Sequence, residues 1–294
     1  MKVNKNSKNE FFDGKKEIQA ERKEIINNLN KIAHELRIDV INMIFKANSG
    51  HPGGSLSAAD IVTTLYFNFL NVDPKNPNWQ DRDRFIMSKG HACPIWYAAL
   101  AKKGFFDRSH LDTLRKINSI LQGHPDMRKT PGIDMTTGSL GNGLGAGVGM
   151  ALAAKLKNKS YYTYVLVGCA EHNEGVLWES AMSAAKFKLD NLIAIVDYNK
   201  LQLDGYNDEV MPIEPIEDKW KSFGWNVLRI NGHDIGQIIE SIEKAKNIKG
   251  TPTVIIADTI KGKGVSFMED KCLWHGKVPS REEYKQAIKE LSIF

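Results

Sequence analysis

Apolar and polar residues form long alternating blocks along the middle of the chain. Three mainly apolar runs, at 161–168, 191–199 and 251–259, are rich in Val, Ile and Tyr. Two segments with apolar residues at helical spacing, 174–188 and 234–247, lie between them. Apolar runs without alternation are typical of strands buried on both faces, and strands separated by helices are typical of a parallel sheet. The pattern predicts a three-layer α/β domain with a mostly parallel sheet.

The first hundred residues are predicted to contain more helix. The stretches "EIINNLNKIAHELRIDVINMIFKA" and "SLSAADIVTTLYFNFL" have apolar residues at helical spacing, and "SGHPGGS" separates them with turn-forming residues. "DRDRFIMSKGHACPIWYAALAKKG" predicts a short strand, a glycine turn and a helix. Residues 1–29 are charged and weakly periodic. We therefore expect a lead-in helix or extension at 1–29 and one domain over 30–294.

Composition and charge argue against several classes of protein. The 40 basic and 35 acidic residues are interspersed, and the net charge is only +5, so no nucleic-acid partner is indicated. Cys93, Cys169 and Cys272 form no CxxC pair, which argues against a zinc knuckle or a disulfide framework and fits a reducing compartment. We find no apolar run of about 18 residues and no signal-peptide pattern. We expect a cytoplasmic protein without a membrane partner.

The ends of the predicted strands carry residues suited to a phosphate and its metal ion. "GCAE" begins at Gly168, "DYN" begins at Asp197, and "IKGKG" follows the third strand. Because ligands bind beyond the carboxyl ends of parallel strands, we expect these three loops to converge on one crevice. A turn of this kind usually offers a hard oxygen ligand at its tip, and here the tip is Cys169.

Histidines in glycine- or proline-flanked loops are the second candidate for chemistry. They are His51 in "SGHPGG", His91 in "SKGHAC", His124 in "QGHPD" and His275 in "LWHGK". A single loop histidine is most often a surface residue, but four in such turns indicate an active site lined with imidazoles. Their spacing does not suit one metal cluster. His34 and His233 lack this setting, and we expect structural roles for both.

A glycine-rich segment, "TTGSLGNGLGAGVGMALAA", contains a dinucleotide-like "GNGLGA". No good strand precedes it, and no acidic residue follows at a strand end about twenty residues later, so a nicotinamide site is not indicated. The recurring glycines favour close packing of a helix against another helix or against a second chain.

Taken together, these motifs resemble the thiamine-diphosphate-binding half of transketolase. The resemblance covers roughly residues 30–280. Besides the glycine-rich segment it includes "SGHPGGSLSAADIVTTLYF", "DRFIMSKGHA", "EGVLWESAMSAAKFKLDNLIAIVDYNKLQLDG" and "WHGKVPS". Several long motifs in one order are far more specific than any one of them. The resemblance implies a thiamine-diphosphate-binding fold of the pyrophosphate type.

The resemblance also implies roles for individual residues. Catalytic roles in proton transfer and substrate contact fall to His51, His124, His275 and Glu174, the last as an acid that acts across a subunit interface. Cofactor contacts fall to His91, Gly138, Leu140, Gly168, Asn199 and His275. Metal ligation falls to Asn199, to the carbonyl of Leu201 and, at the position of the family's aspartate, to Cys169. The implied cofactors are thiamine diphosphate and Mg²⁺ or another divalent ion.

At the metal position the chain departs from the family's Gly-Asp-Gly, because it has Gly168-Cys169-Ala170. Mg²⁺ prefers oxygen ligands, a neutral thiol is a poor replacement, and a thiolate would suit a softer ion. Three alternatives remain open from the sequence: Glu171, His172 or water takes the missing position. Loss of one charged ligand is expected to weaken cofactor binding unless another group compensates.

The chain is also much shorter than a full transketolase, which has two further domains. We therefore expect the N-terminal subunit of a split enzyme, with a C-terminal subunit that carries the pyrimidine-binding domain, in a heterotetramer with two copies of each. The implied activity is that of a transferase. It moves a two-carbon ketol unit from a ketose, or ketose phosphate, to an aldose acceptor. The alternatives are thiamine-dependent transfer to a modified or nucleotide sugar, and a catalytically impaired scaffold or regulatory subunit.

Overall fold

A computed structural model describes residues 6–293 of the chain and the side chains of residues 19–293. Residues 1–5, which belong to the predicted lead-in, lie outside the described residues. The first helix, α1, runs from Asn6 to Ala47, so the predicted division at residues 29 and 30 falls within one helix. That division stays a prediction.

Five parallel strands form the centre of the fold, in the order β1-β2-β3-β5-β4. The strands are β1 Arg84–Met87, β2 Thr163–Gly168, β3 Leu192–Tyr198, β4 Asn226–Asn231 and β5 Thr253–Asp258. The remaining helices are α2 Pro52–Ser57, α3 Ala59–Thr64, α4 Cys93–Lys103, α5 Asn142–Leu156, α6 Gly175–Lys186, α7 Asn207–Val210, α8 Ile216–Ser222, α9 Ile235–Asn247 and α10 Arg281–Leu291. The predicted parallel α/β architecture is confirmed.

Successive residues of each strand serve two separate cores. In β2, Tyr164 and Leu166 belong to a large core with α1, α3, α4, α9 and α10. Val165 and Val167 belong to a second core with α5, α6 and α8. Since side chains alternate across a strand, the sheet is the middle of three layers. Burial of both faces explains why β2, β3 and β5 read as unbroken apolar runs.

The sequence pattern does not predict strand β4. It lies at the edge of the sheet beside β5, and its residues are half-buried or exposed. Asn226, Arg229 and Asn231 interrupt its apolar positions. An edge strand needs less apolar surface than a central one, so the criterion of an unbroken apolar run overlooks it.

No helix within the described residues is long and apolar enough to cross a membrane.

The glycines of α5 let the helix approach the sheet and its neighbour closely. A Cβ atom on Gly147 would lie 2.5 Å from Cγ2 of Val165 in β2, and one on Gly145 would lie 3.1 Å from Oγ of Ser180 in α6. A Cβ atom on Gly149 would meet nothing within 4 Å. The structure thus shows packing against a strand as well as a helix. An interface with a second chain stays a prediction.

The paired substitutions Gly147→Ala and Gly149→Ala test this packing. Gly147→Ala forces an atom into the sheet contact and is expected to destabilise the chain by about 1–3 kcal/mol. Gly149→Ala meets open space inside a helix and is expected to stabilise it by up to about 1 kcal/mol. Urea unfolding followed by circular dichroism measures both. Equal effects of the two substitutions would contradict the packing described.

Candidate active site

The three loops predicted to converge do so around one cavity at the carboxyl ends of the strands. The cavity has a volume of about 250 Å³, and its wall includes Gly168 after β2, Asn199 after β3 and Lys261 after β5. The other wall residues that the sequence singled out are His91, Leu140, Cys169, Leu201 and His275. Seven predicted site residues therefore share one cavity.

The remaining predicted residues, His51, His124, Gly138 and Glu174, do not line the cavity. The ring of His51 is 5.2 Å from that of His91 and 5.3 Å from that of His275. His124 is exposed and packs on Gly138, whose φ of +144° favours glycine and where a Cβ atom would lie 3.0 Å from the ring. Glu174 is exposed at the N-terminus of α6, away from the cavity wall. Its predicted role across an interface stays a prediction.

A buried carboxylate, Asp197, connects the loops beneath the cavity. It accepts hydrogen bonds from Ser57 at 2.6 Å and Asn199 at 3.2 Å, and also from Thr259 and Lys89. Burial alone would raise the pKa of Asp197, but the ion pair with Lys89 and these hydrogen bonds hold the pKa below its usual value. The carboxylate is therefore ionised and compensated.

His51, His91 and His275 form a cluster of neutral imidazoles. The rings of His91 and His275 are 4.9 Å apart. Burial lowers the pKa of His51 to about 4 and that of His275 to about 3, and it lowers the pKa of His91 well below the usual value. The nearby cations Arg115, Lys261 and Lys89 contribute to these shifts. At neutral pH each ring can therefore donate one hydrogen bond and accept another.

Two neighbouring cations select the tautomers of this cluster. Arg115 lies 3.2 Å from Nδ1 of His51, and Lys261 lies 3.1 Å from Nδ1 of His275. Because a guanidinium and an ammonium can only donate, Nδ1 of each ring accepts, and the proton of each neutral ring is on Nε2. His51 and His275 each retain an Nε2–H that can donate to a hydroxyl or a phosphate oxygen.

Cys169 is a buried, protonated thiol. Its side chain is 2 % exposed, and burial raises the pKa of the thiol. Sγ lies 3.7 Å from Oδ1 of Asn199 and 3.9 Å from Oδ1 of Asn207, so the thiol donates to amide oxygens. A thiolate ligand for a soft metal ion is not favoured here.

Neither Glu171 nor His172, the two side chains that the sequence leaves open as alternatives, is free to replace Cys169 as a metal ligand. Glu171 is buried and accepts hydrogen bonds from Ser88 at 2.5 Å and from the backbone N–H groups of Gly141 at 2.7 Å and Gly168 at 2.6 Å. His172 donates from Nδ1 to the carbonyl of Cys169 at 2.8 Å, and its Nε2 accepts from Trp220 at 3.0 Å. Glu171 lines the cavity, but both side chains are engaged in hydrogen bonds within the protein.

The predicted metal-ligand oxygens are also engaged. Oδ1 of Asn199 accepts from the thiol of Cys169 and from the N–H of Leu201 at 3.2 Å. The carbonyl of Leu201 accepts from the ammonium of Lys261 at 3.3 Å. Among the described residues, no group of three or more His, Cys, Asp or Glu side chains could hold a metal ion. The ammonium and N–H groups of the cavity can donate hydrogen bonds to a diphosphate. The ligand atoms that are present do not fit a hard divalent cation, because the oxygens it would need already accept hydrogen bonds within the protein.

The position of Lys261 depends on a network behind the cavity. His233 accepts the N–H of Ile260 at 2.8 Å with Nε2, and its Nδ1 donates to Asp60 at 2.7 Å. Arg37 makes a bidentate ion pair with the same carboxylate, at 2.6 and 3.0 Å. His233 thus anchors the segment that leads to Lys261, in agreement with its expected structural role.

Sequence reasoning does not identify Lys89, Lys261 and Arg115 as site residues. The first two are 3 % and 2 % exposed, which is rare for lysine and cannot be read from sequence spacing. A signal for Lys261 does exist, because it lies in the "IKGKG" loop that is expected to reach the crevice.

Thiol labelling tests the state of Cys169. Cys169 and Cys93 are buried, whereas Cys272 is half-exposed. With a disulfide reagent at pH 8, the native chain is expected to react rapidly at Cys272 only, and at all three thiols in denaturant. Cys272→Ser is the matched control and is expected to abolish the rapid phase. Rapid labelling of Cys169 in that variant would show an accessible thiolate instead.

Acid titration tests the neutral histidine cluster. Because the folded-state pKa values of His51 and His275 lie below the unfolded value of 6.5, their unfolded forms bind more protons between pH 6.5 and about 4. The melting temperature is therefore expected to fall as the pH decreases from 6.5 to 4.5. A double variant with His51→Asn and His275→Asn is expected to show a shallower fall. Identical slopes would contradict the lowered pKa values.

Comparisons with known proteins identify the family of the chain. The family model for the transketolase thiamine diphosphate binding domain matches residues 28–293. A 6-deoxy-6-sulfo-D-fructose transketolase subunit, SqwG, of Clostridium sp. (strain MSTE9) is 47 % identical over 259 residues, which are 88 % of this chain and 94 % of the relative. One of the apulose-4-phosphate transketolase subunits, from Phocaeicola vulgatus, is 44 % identical over 253 residues, which are 86 % of this chain and 90 % of the relative.

The comparison with solved structures identifies the same family. The transketolase of Campylobacter jejuni superimposes with a TM-score of 0.86 at 35 % identity, over 90 % of this chain and 43 % of the Campylobacter chain. The chain thus corresponds to less than half of that transketolase and to nearly the whole of the two subunit-type relatives. The chain therefore belongs to the transketolase family, as its thiamine-diphosphate-binding domain.

Proposed function

We propose that this chain is the cofactor-binding subunit of a split transketolase, which transfers a two-carbon ketol unit from a ketose to an aldose. One observation carries the proposal: His51, His91 and His275 lie within 5.3 Å of one another beside a cavity that also contains Gly168 and two buried lysines. The relatives named for subunits support a separate second chain.

The intact cavity favours an active subunit over a scaffold. A scaffold has no need for three half-buried neutral imidazoles or for the buried Lys261, because burial of such groups destabilises the fold unless they have partners. The presence of all these groups at one cavity is better explained if they bind a ligand.

Thiamine diphosphate, when bound, supplies the carbon nucleophile and the electron sink that ketol transfer requires. The protein's own groups bind and orient the cofactor and the substrate. Lys261 and the Nε2–H groups of His51 and His275 are placed to donate to anionic or hydroxyl oxygens. Burial lowers the pKa of His91 as well, so that at neutral pH its ring is uncharged and has one nitrogen that accepts a hydrogen bond. We propose that these groups hold the hydroxyl groups of the ketose.

We further propose that the second chain carries the pyrimidine-binding domain and that two copies of each form the complex. The names of subunit-type relatives support a partner, and closed symmetry favours a heterotetramer. We place the complex in the cytoplasm, which three free cysteines support.

The donor is proposed to be a ketose with an anionic group at its far end. The names of the two relatives above specify a sulfonated fructose and apulose 4-phosphate. Both are ketoses that keep a negative charge distant from the carbons transferred. Arg115, which lies 3.2 Å from Nδ1 of His51, adds a cation beside the histidine cluster.

The test is a transfer assay on the chain co-expressed with its pyrimidine-binding partner. The donors are 6-deoxy-6-sulfo-D-fructose, apulose 4-phosphate and fructose 6-phosphate, with thiamine diphosphate present, and the aldehyde product is measured. At least one donor is expected to react. His275→Gln is expected to lower kcat/KM by about 100-fold, whereas His110→Gln, outside the cavity, is expected to leave it unchanged. Binding of thiamine diphosphate without transfer from any ketose would refute the proposal.

A further inference from the structure

The guanidinium of Arg115 connects the loop of His51 with the loop of His124. It donates to Oγ of Ser49 at 2.8 Å, to Nδ1 of His51 at 3.2 Å and to the carbonyl of Gly123 at 3.4 Å. Ser49 and His51 precede α2, and Gly123 directly precedes His124. The three acceptors are neutral groups, so at these contacts the fork of donors joins two loops and does not compensate a charge.

The backbone of Arg115 adopts a conformation that costs free energy. Its φ is +60°, in the left-handed region that residues with a side chain rarely adopt. Asn118, in the same loop, has a φ of +63°, but asparagine tolerates this region better than arginine does. Such strain persists where the surrounding contacts require it, and it is concentrated at functional sites. The strained backbone thus indicates that the direction of the Arg115 side chain matters.

The loop around Arg115 is anchored on its inner side. The N–H of Arg115 donates to the carbonyl of Leu121 at 2.8 Å, and Leu121 is fully buried. The hydroxyl of Tyr97, in α4, donates to the carbonyl of Gln122 at 2.9 Å. A Cβ atom on Gly123 would lie 3.2 Å from Cζ of Arg115, so the missing side chain lets the guanidinium lie against the loop. The guanidinium therefore has a fixed support.

The contact with Arg115 determines which nitrogen of His51 can donate. Burial lowers the pKa of His51 to about 4, so the ring is neutral at pH 7 and carries one N–H. Because Nδ1 accepts from Arg115, the proton is on Nε2. Without the guanidinium either nitrogen can carry the proton, since the partner of one ring nitrogen selects the tautomer. Only one of the two tautomers offers a donor at Nε2.

We propose that Arg115 is a positioning residue, which uses the loop before His124 as a support and fixes the place and the tautomer of His51 for binding of the ketose donor. This inference rests on the proposed function, because it concerns the donor of the same transfer reaction. Arg115 does not line the cavity, so it acts through His51 and not by contact with the cofactor.

The first experiment determines the tautomer of His51 by ¹⁵N NMR on the complex. The chain carries ¹⁵N-labelled histidine, its pyrimidine-binding partner is unlabelled, and His51→Ala assigns the resonance. At pH 7.5 the wild type is expected to have the proton on Nε2, and Arg115→Met is expected to show a mixture of tautomers. A proton on Nδ1 in the wild type, or an unchanged tautomer in the variant, would overturn the inference.

The second experiment measures transfer by the same complex, and thiamine diphosphate binding by calorimetry. With the ketose donor that reacts, Arg115→Met is expected to lower kcat/KM by about 10- to 100-fold, as for the loss of a hydrogen bond to a charged group. Its affinity for thiamine diphosphate is expected to stay within about threefold of the wild-type value. An equally large loss of cofactor affinity would show a general structural role and overturn the inference.

Lys116→Met is the matched control for this measurement. It removes an exposed positive charge from the same loop, and both kcat/KM and cofactor affinity are expected to remain unchanged. Absence of transfer by the wild type from every ketose would refute the proposed function, whereas the tautomer measurement would still decide the role of Arg115.

A double-mutant cycle tests whether Arg115 acts through His51. In the His51→Ala background, Arg115→Met is expected to lower kcat/KM by less than about threefold further, because the ring that it positions is absent. Equal effects of Arg115→Met in the two backgrounds would mean that Arg115 acts through another group, and would contradict the proposal.

Discussion

The carboxylate of Asp197, at the end of β3, accepts hydrogen bonds from side chains in four segments of the chain. Ser57 belongs to α2, Lys89 follows β1, Asn199 follows β3, and Thr259 follows β5. Asp197 is fully buried, so its charge must be compensated internally, and the four segments must meet for this to happen. The same segments carry the walls of the cavity. Compensation of this one buried charge therefore holds together the segments that form the cavity.

The cavity above Asp197 combines neutral bases with fixed cations. Neutral imidazoles can be packed closely, since His51, His91 and His275 do not repel one another when uncharged. Burial is the main cause of their lowered pKa values, and the cations Lys261 and Arg115, which add to this effect, also orient two of the rings. Burial and these contacts together set protonation, tautomer and position. Such coupling suits a site that must hold an anionic group and exchange protons with a sugar at the same pH.

The sequence predicts the parts of this arrangement that depend on local pattern. The buried strands β2, β3 and β5 and the convergence of their loops follow from apolar runs and from the rule for parallel sheets. Cys169 also stands out from the sequence as an unusual residue at its position. The edge strand β4 is overlooked because half-buried strands have a weaker apolar pattern. The burial of Lys89 and Lys261 depends on tertiary contacts between distant segments, and the sequence carries no periodic signal for these contacts.

The turn at Cys169 is joined to a group of aromatic rings on its inner side. Its carbonyl accepts a hydrogen bond from His172, which in turn accepts one from Trp220. The ring of Trp220 lies 5.3 Å from that of Trp178 and 4.8 Å from that of Trp225. Three of the six tryptophans of the chain are therefore connected to the turn at Cys169. Trp220 is connected through two successive hydrogen bonds, and Trp178 and Trp225 are connected through ring contacts with Trp220. A rearrangement of that turn would change the surroundings of these tryptophans. The intrinsic tryptophan fluorescence of the protein would therefore report whether a ligand is bound.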